Sequence, residues 1–80
     1  MGAESALLAA AADAAFRSWT AVLGARLAAE GWADPDATAT AIVCAVEGAL
    51  LLARARRSIA PLADVRLVFE RLAPSPLGDR

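Results

Sequence analysis

The stretch AIVCAVEGALLLARA, residues 41–55, constrains this chain more than any other. Thirteen of its fifteen residues are small or apolar, and only Glu47 and Arg54 interrupt them. Placed at 100° per residue, the run is apolar around most of its circumference. A helix of that kind needs cover on more than one side. A chain of 80 residues has little of its own to provide such cover, because small domains bury a low fraction of their surface. The run therefore predicts a helix whose burial involves a partner surface. It does not predict a membrane span. A span needs about 20 apolar residues, and the run from Ala39 to Ala53 is shorter. It would also hold the Glu47 carboxylate in mid-bilayer, where charge is costly.

Two further helices flank this one, making an all-α chain. In the first, expected over residues 4–30, Leu8, Ala12, Phe16, Trp19, Leu23 and Leu27 recur at steps of three and four, a single helical stripe. Gly31 supplies its stop. Asp34 is placed to cap the second helix, with Pro35 as its first residue, and that helix runs over 35–57. Pro61 opens a third helix over 61–72, where Leu62, Val65, Val68, Phe69 and Leu72 keep helical spacing. Residues 74–80 hold two prolines and a glycine, and read as a disordered tail after a domain of residues 1–73. The short turns predict a three-helix antiparallel unit.

On the second helix two faces separate. Ile42, Val46, Leu50 and Ala53 form a face of larger residues. Ala41, Cys44, Ala45, Gly48, Leu52 and Ala55 form a flatter one, suited to close approach of another helix. The simplest supplier is a second copy of the chain across a two-fold axis, giving a helical-bundle homodimer. The expected dimer interface comprises that flatter face, Leu51, and Val65 and Phe69 from the third helix. Which face of the second helix meets the partner is left open by the pattern.

Composition excludes much chemistry. The chain has no histidine and a single cysteine, Cys44, so nitrogen- or sulfur-ligated metal sites and internal disulfides are not expected. Cys44, among apolar neighbours, reads as a small buried thiol. Asp34 and Asp36 suit a helix start better than a metal. No serine or threonine has a base partner, so no enzymatic activity and no cofactor are expected. All eight basic residues are arginines, they are not clustered into a block, and the net charge is −1; direct nucleic-acid contact is not expected. Glu4 and Asp13 break the N-terminal apolar run with no basic segment before it, which argues against a secretory signal and for the cytoplasm.

Two features point toward binding. Phe16, Trp19 and Leu23 supply bulk to the first helix and are candidates to face a small apolar effector, since ligand pockets are mostly apolar. Glu47 and Arg54 lie on a narrow polar line of the second helix. A carboxylate at a helix contact is expected to find a donor. The candidates are the Trp19 indole, Arg17 and Arg54, within the chain or across a dimer.

The segments AFRSWTAVLGARLAAEGW and DATATAIVCAVEGALLLARARRSIAPLADVRLVFERL together resemble the C-terminal end of tetracycline-repressor (TetR) family transcriptional regulators, in particular the LmrA/YxaF-like branch. Phe16, Trp19, Leu23 and Leu27 carry the likeness, with the Glu47–Arg54 stretch, Arg57-Ser58, Pro61-Leu62 and Val65. The resemblance implies the last three helices of an effector-binding and dimerisation domain, the final two building a four-helix dimer interface. It implies that DNA is read by an N-terminal helix-turn-helix. That element, and the helices that enclose most of the effector pocket, have no counterpart in these 80 residues. The sequence thus supports a dimerisation and partial effector-binding segment of a repressor. The alternative is a free-standing helical homodimeric interaction module without DNA or ligand binding.

Overall fold

The computed structural model describes residues 2–75. Three helices account for nearly all of them: α1 (Gly2–Ala29), α2 (Pro35–Arg56) and α3 (Ala60–Leu72). No end departs by more than two residues from the spans expected from sequence. Pro74 and Ser75 are not helical; the rest of the expected tail lies outside the described residues.

The α1–α2 turn is built from backbone geometry. Gly31 adopts φ +85°. Its N–H donates to Ala28 O at 3.1 Å, and the Trp32 N–H reaches back to Leu27 O at 3.0 Å. This pair of bonds is a Schellman closure, which satisfies carbonyls a helix end otherwise leaves bare. Asp34 does occupy the N-cap position, but not as a side-chain cap. Its backbone is left-handed (φ 47°, ψ 58°), and its carboxylate makes no capping hydrogen bond. Capping requires extended backbone at that position, and the tight return from Gly31 does not leave it. The Thr38 hydroxyl instead donates to Ala33 O at 3.2 Å.

At the other end of α2 a related left-handed closure is made by a residue less suited to it. Arg57 sits at φ 52°. Its N–H and that of Ser58 both donate to Ala53 O. The Ser58 Oγ then accepts from the Ala60 N–H at 3.1 Å, which starts α3.

Antiparallel packing of α1 on α2 pairs residues equidistant from the Gly31–Trp32 bond. Gly24 faces Ala39 in this register. A Cβ built on Gly24 would lie 3.8 Å from that of Ala39 and 2.6 Å from Asp36 Oδ1. Gly24, Leu27 and Ala39 are all buried, so the close approach of the two helices is centred here. The second buried contact lies at the far end of α2, where Ala49 and Pro61 are covered and line one α2–α3 groove.

The expected three-helix unit is open rather than closed. Contacts join α1 to α2 and α2 to α3, but none join α1 to α3. The result is a strip 55 × 30 × 12 Å, about one helix diameter thick. Its radius of gyration is 15.5 Å, against about 11.6 Å for a compact chain of this length. Its accessible surface of 6277 Å² exceeds the about 4,500 Å² of a globular monomer of this mass. The α1 stripe is buried only toward its C-terminal end, and every residue from Gly2 to Ala14 is exposed. α2 is covered on one side only, over an arc of about 160°. Cys44 lies outside that arc and is exposed, contrary to the buried thiol expected from its neighbours.

Candidate functional site

Among the described residues, a groove lies on each side of α2. The first lies between α1 and α2 and encloses about 430 Å³, lined by Phe16, Thr20, Thr40, Val43, Cys44 and Glu47. It follows from the helix register: Phe16 lies at the level of Glu47, and Thr20 at that of Val43, two turns and one turn beyond the Gly24–Ala39 crossing. At the crossing, small residues bring the backbones together. Beyond it, side chains hold the helices apart and leave an apolar trough. The second groove, about 330 Å³, lies between α2 and α3, and Ala45, Gly48, Leu52, Pro61 and Val65 are on its walls.

The residues proposed from sequence to face an effector are divided. Phe16 lines the α1–α2 groove, whereas Trp19 and Leu23 line a shallow surface of α1 beside Val22 and Arg26. The Phe16 and Trp19 rings still meet edge to face, with centroids 5.1 Å apart and planes at 88°, the favoured arrangement of two aromatic quadrupoles. Thr20, Thr40 and Val43 were not anticipated as groove residues. The signal that finds them is the hairpin register read about the Gly31–Trp32 bond.

The expected interface residues are also divided. Ala45, Gly48, Leu52 and Val65 share the α2–α3 groove. Cys44 belongs to the α1 side. Ala41, Leu51 and Ala55 lie on the open surface of α2, and Phe69 is half-buried on α3. Nothing lies within 4 Å of a Cβ built on Gly48. Among the described residues, the only close approach of helix to helix at a glycine is therefore at Gly24, and Gly48 is open to whatever covers α2.

The expected donor for Glu47 is absent within the chain. Glu47 is exposed at the groove, and neither it nor Arg54 enters any hydrogen bond or ion pair among the described residues. The reasons are geometric. Trp19 points along a different face of α1 from Phe16 and Thr20. Arg17 Nε is held by Asp13 Oδ2 at 2.7 Å. Arg54 stands two turns along the same helix. Among the described residues no cluster of three or more acidic, cysteine or histidine side chains is placed to hold a metal.

Against known proteins, residues 1–67 match the family described as transcriptional regulator LmrA/YxaF-like, C-terminal domain. The match spans most of the chain, all of α1 and α2 and half of α3. The chain belongs to this family of TetR-type regulator domains. No curated protein and no solved structure matches it.

Proposed function

We propose that this chain is the dimerisation and effector-binding segment of a TetR-type transcriptional repressor, working as a homodimer in the cytoplasm. The observation that carries the reading is the uncovered apolar surface of α2 and α3. Leu51 is 69% exposed, Leu52 and Val68 are exposed as well, and Gly48 is open. Exposed apolar area on this scale marks an interaction surface. A second copy placed across a two-fold axis hides the same residues on both chains at once. The expected Ala41, Cys44, Ala45, Gly48, Leu51, Leu52, Ala55, Val65 and Phe69 all remain accessible or half-accessible for such a contact.

By length and composition, α1 and α2 are each apolar enough to cross a membrane. Family membership supports assigning that surface to protein contacts instead. The α1–α2 groove is the part of the effector site that this segment contributes. The segment itself acts without catalysis and without touching DNA.

Sedimentation velocity tests the association. The expected species is a dimer. Gly48→Leu, which fills the open face, shifts it toward monomer through overpacking. A wild-type monomer at high concentration overturns the reading, and an unaltered dimer in the variant rejects this face.

A further inference from the structure

The polar atoms of the α1–α2 groove nearly all have one sense. The Thr20 hydroxyl lies 2.9 Å from Phe16 O and 3.1 Å from Arg17 O, and so spends its proton on its own helix. The Thr40 hydroxyl donates to Asp36 O at 3.2 Å. A hydroxyl has one proton, so both threonines face the groove as acceptors. The Glu47 carboxylate accepts only, and the Cys44 thiol is at most a weak donor. The groove therefore has acceptors and a negative charge, and no strong donor.

The surrounding charge has the same sign. Arg17 is the nearest base, in the adjoining depression with Thr20, Thr40 and Asp36. Its guanidinium is already bound to Asp13. Around the groove, Asp13, Asp36 and Glu47 stand against Arg17 and, two turns along α2 from Glu47, Arg54, which leaves the balance negative. Phe16 adds an aromatic ring, whose face attracts cations.

We infer that this groove binds a hydrophobic organic cation, an amine or quaternary onium compound, with Glu47 as its counter-charge and Phe16 as its aromatic wall. This rests on the effector-binding reading and names the class of ligand. It gives a charge to the small apolar effector expected from sequence. A neutral or anionic ligand with acceptor groups would leave those groups unpaired against an acceptor-lined wall.

The test compares two ions of one shape and opposite charge, tetraphenylphosphonium and tetraphenylborate, by calorimetric titration of the whole chain. Amide chemical shifts locate the binding. The expected result is tighter binding of the phosphonium, by about fivefold or more, with shifts at Thr20, Thr40 and Val43. Glu47→Gln removes that preference, and Phe16→Leu weakens the phosphonium selectively. Among the described residues Glu47 makes no hydrogen bond or ion pair that its replacement would break, and glutamine keeps its shape, so Glu47→Gln leaves the fold intact. Equal affinity for the two ions, or a preference that survives Glu47→Gln, overturns the cation assignment and leaves the effector reading standing. Binding of neither ion, or shifts confined to the α2–α3 groove, overturns both.

Discussion

At the scale of single residues, the two helix ends make a natural comparison. Gly31 and Arg57 close α1 and α2 with left-handed backbone, and only the first is a glycine. Left-handed geometry costs a side-chain-bearing residue about 1–2 kcal/mol. Arg57→Gly is expected to stabilise the chain by about 1 kcal/mol, less what glycine loses in unfolded-state entropy. Gly31→Ala is expected to destabilise it by a similar amount, about 1 kcal/mol. Urea denaturation followed by circular dichroism reads both, and equal effects of the same sign would refute the account. Glu30 gives a second prediction. Its hydrogen bond from Arg26 Nε, at 2.7 Å, holds its carboxyl below the ordinary glutamate range, with smaller contributions from the Arg26 charge and the Trp32 side chain. A lowered folded pKa favours the folded state above the unfolded pKa. That contribution fades as pH falls through the folded value. Carboxyl NMR titration should find Glu30 titrating below a free glutamate, and Arg26→Gln should return it upward.

At the scale of elements, the α1–α2 hairpin depends on a very small core. Leu27 and Ala39 are nearly inaccessible, and Gly24 lets the helices touch. Leu27→Ala is expected to cost about 2–5 kcal/mol, and Gly24→Leu about 1–3 kcal/mol through overpacking. Gly24→Ala should be close to neutral. The Asp36 carboxylate must swing away from the new Cβ, but the helix gains about 1 kcal/mol of propensity. Thermal melts of the three variants rank them. A harmless Gly24→Leu would displace the crossing from this point. The hairpin also shows what the sequence reveals and what it conceals. Helices and their ends are legible because Gly31, Pro35 and Pro61 act locally. The stripe on α1 identifies Leu27 correctly but gives Leu8 and Ala12 a burial that none of the described residues provides. Periodicity says which face seeks cover and is silent on what supplies it. The Trp19 indole, a candidate donor from sequence, lies three residues along α1 from the one opposite Glu47, because sequence alone does not fix the turn centre. With the centre at Gly31–Trp32, Glu47 falls opposite Phe16, and the groove follows.

At the scale of the whole molecule, thinness governs stability. A strip one helix thick has few side chains with neighbours on all sides, and its aliphatic surface is paired only on association. If the homodimer forms as proposed, folding and association are linked, and the thermal midpoint rises with chain concentration. A midpoint independent of concentration would mean that the strip is stable unaided. Amide exchange gives the spatial counterpart. Residues 2–14, exposed along their whole length, should exchange faster than the Leu27–Ala39 contact. Uniform protection along α1 would show that something covers its N-terminal half in solution.

The missing contact between α1 and α3 has a mechanical consequence. Among the described residues, the helix that carries Glu47 on one flank and Gly48 on the other is the sole structural link between the two grooves. A ligand that wedges α1 away from α2 cannot push α3 directly. It can only roll or slide α2, and a rigid helix carries that displacement undivided to its opposite flank. In the proposed dimer, occupancy of one trough and the fit of a second copy at the other become two readings of a single coordinate, the rotation of one rod about its own axis.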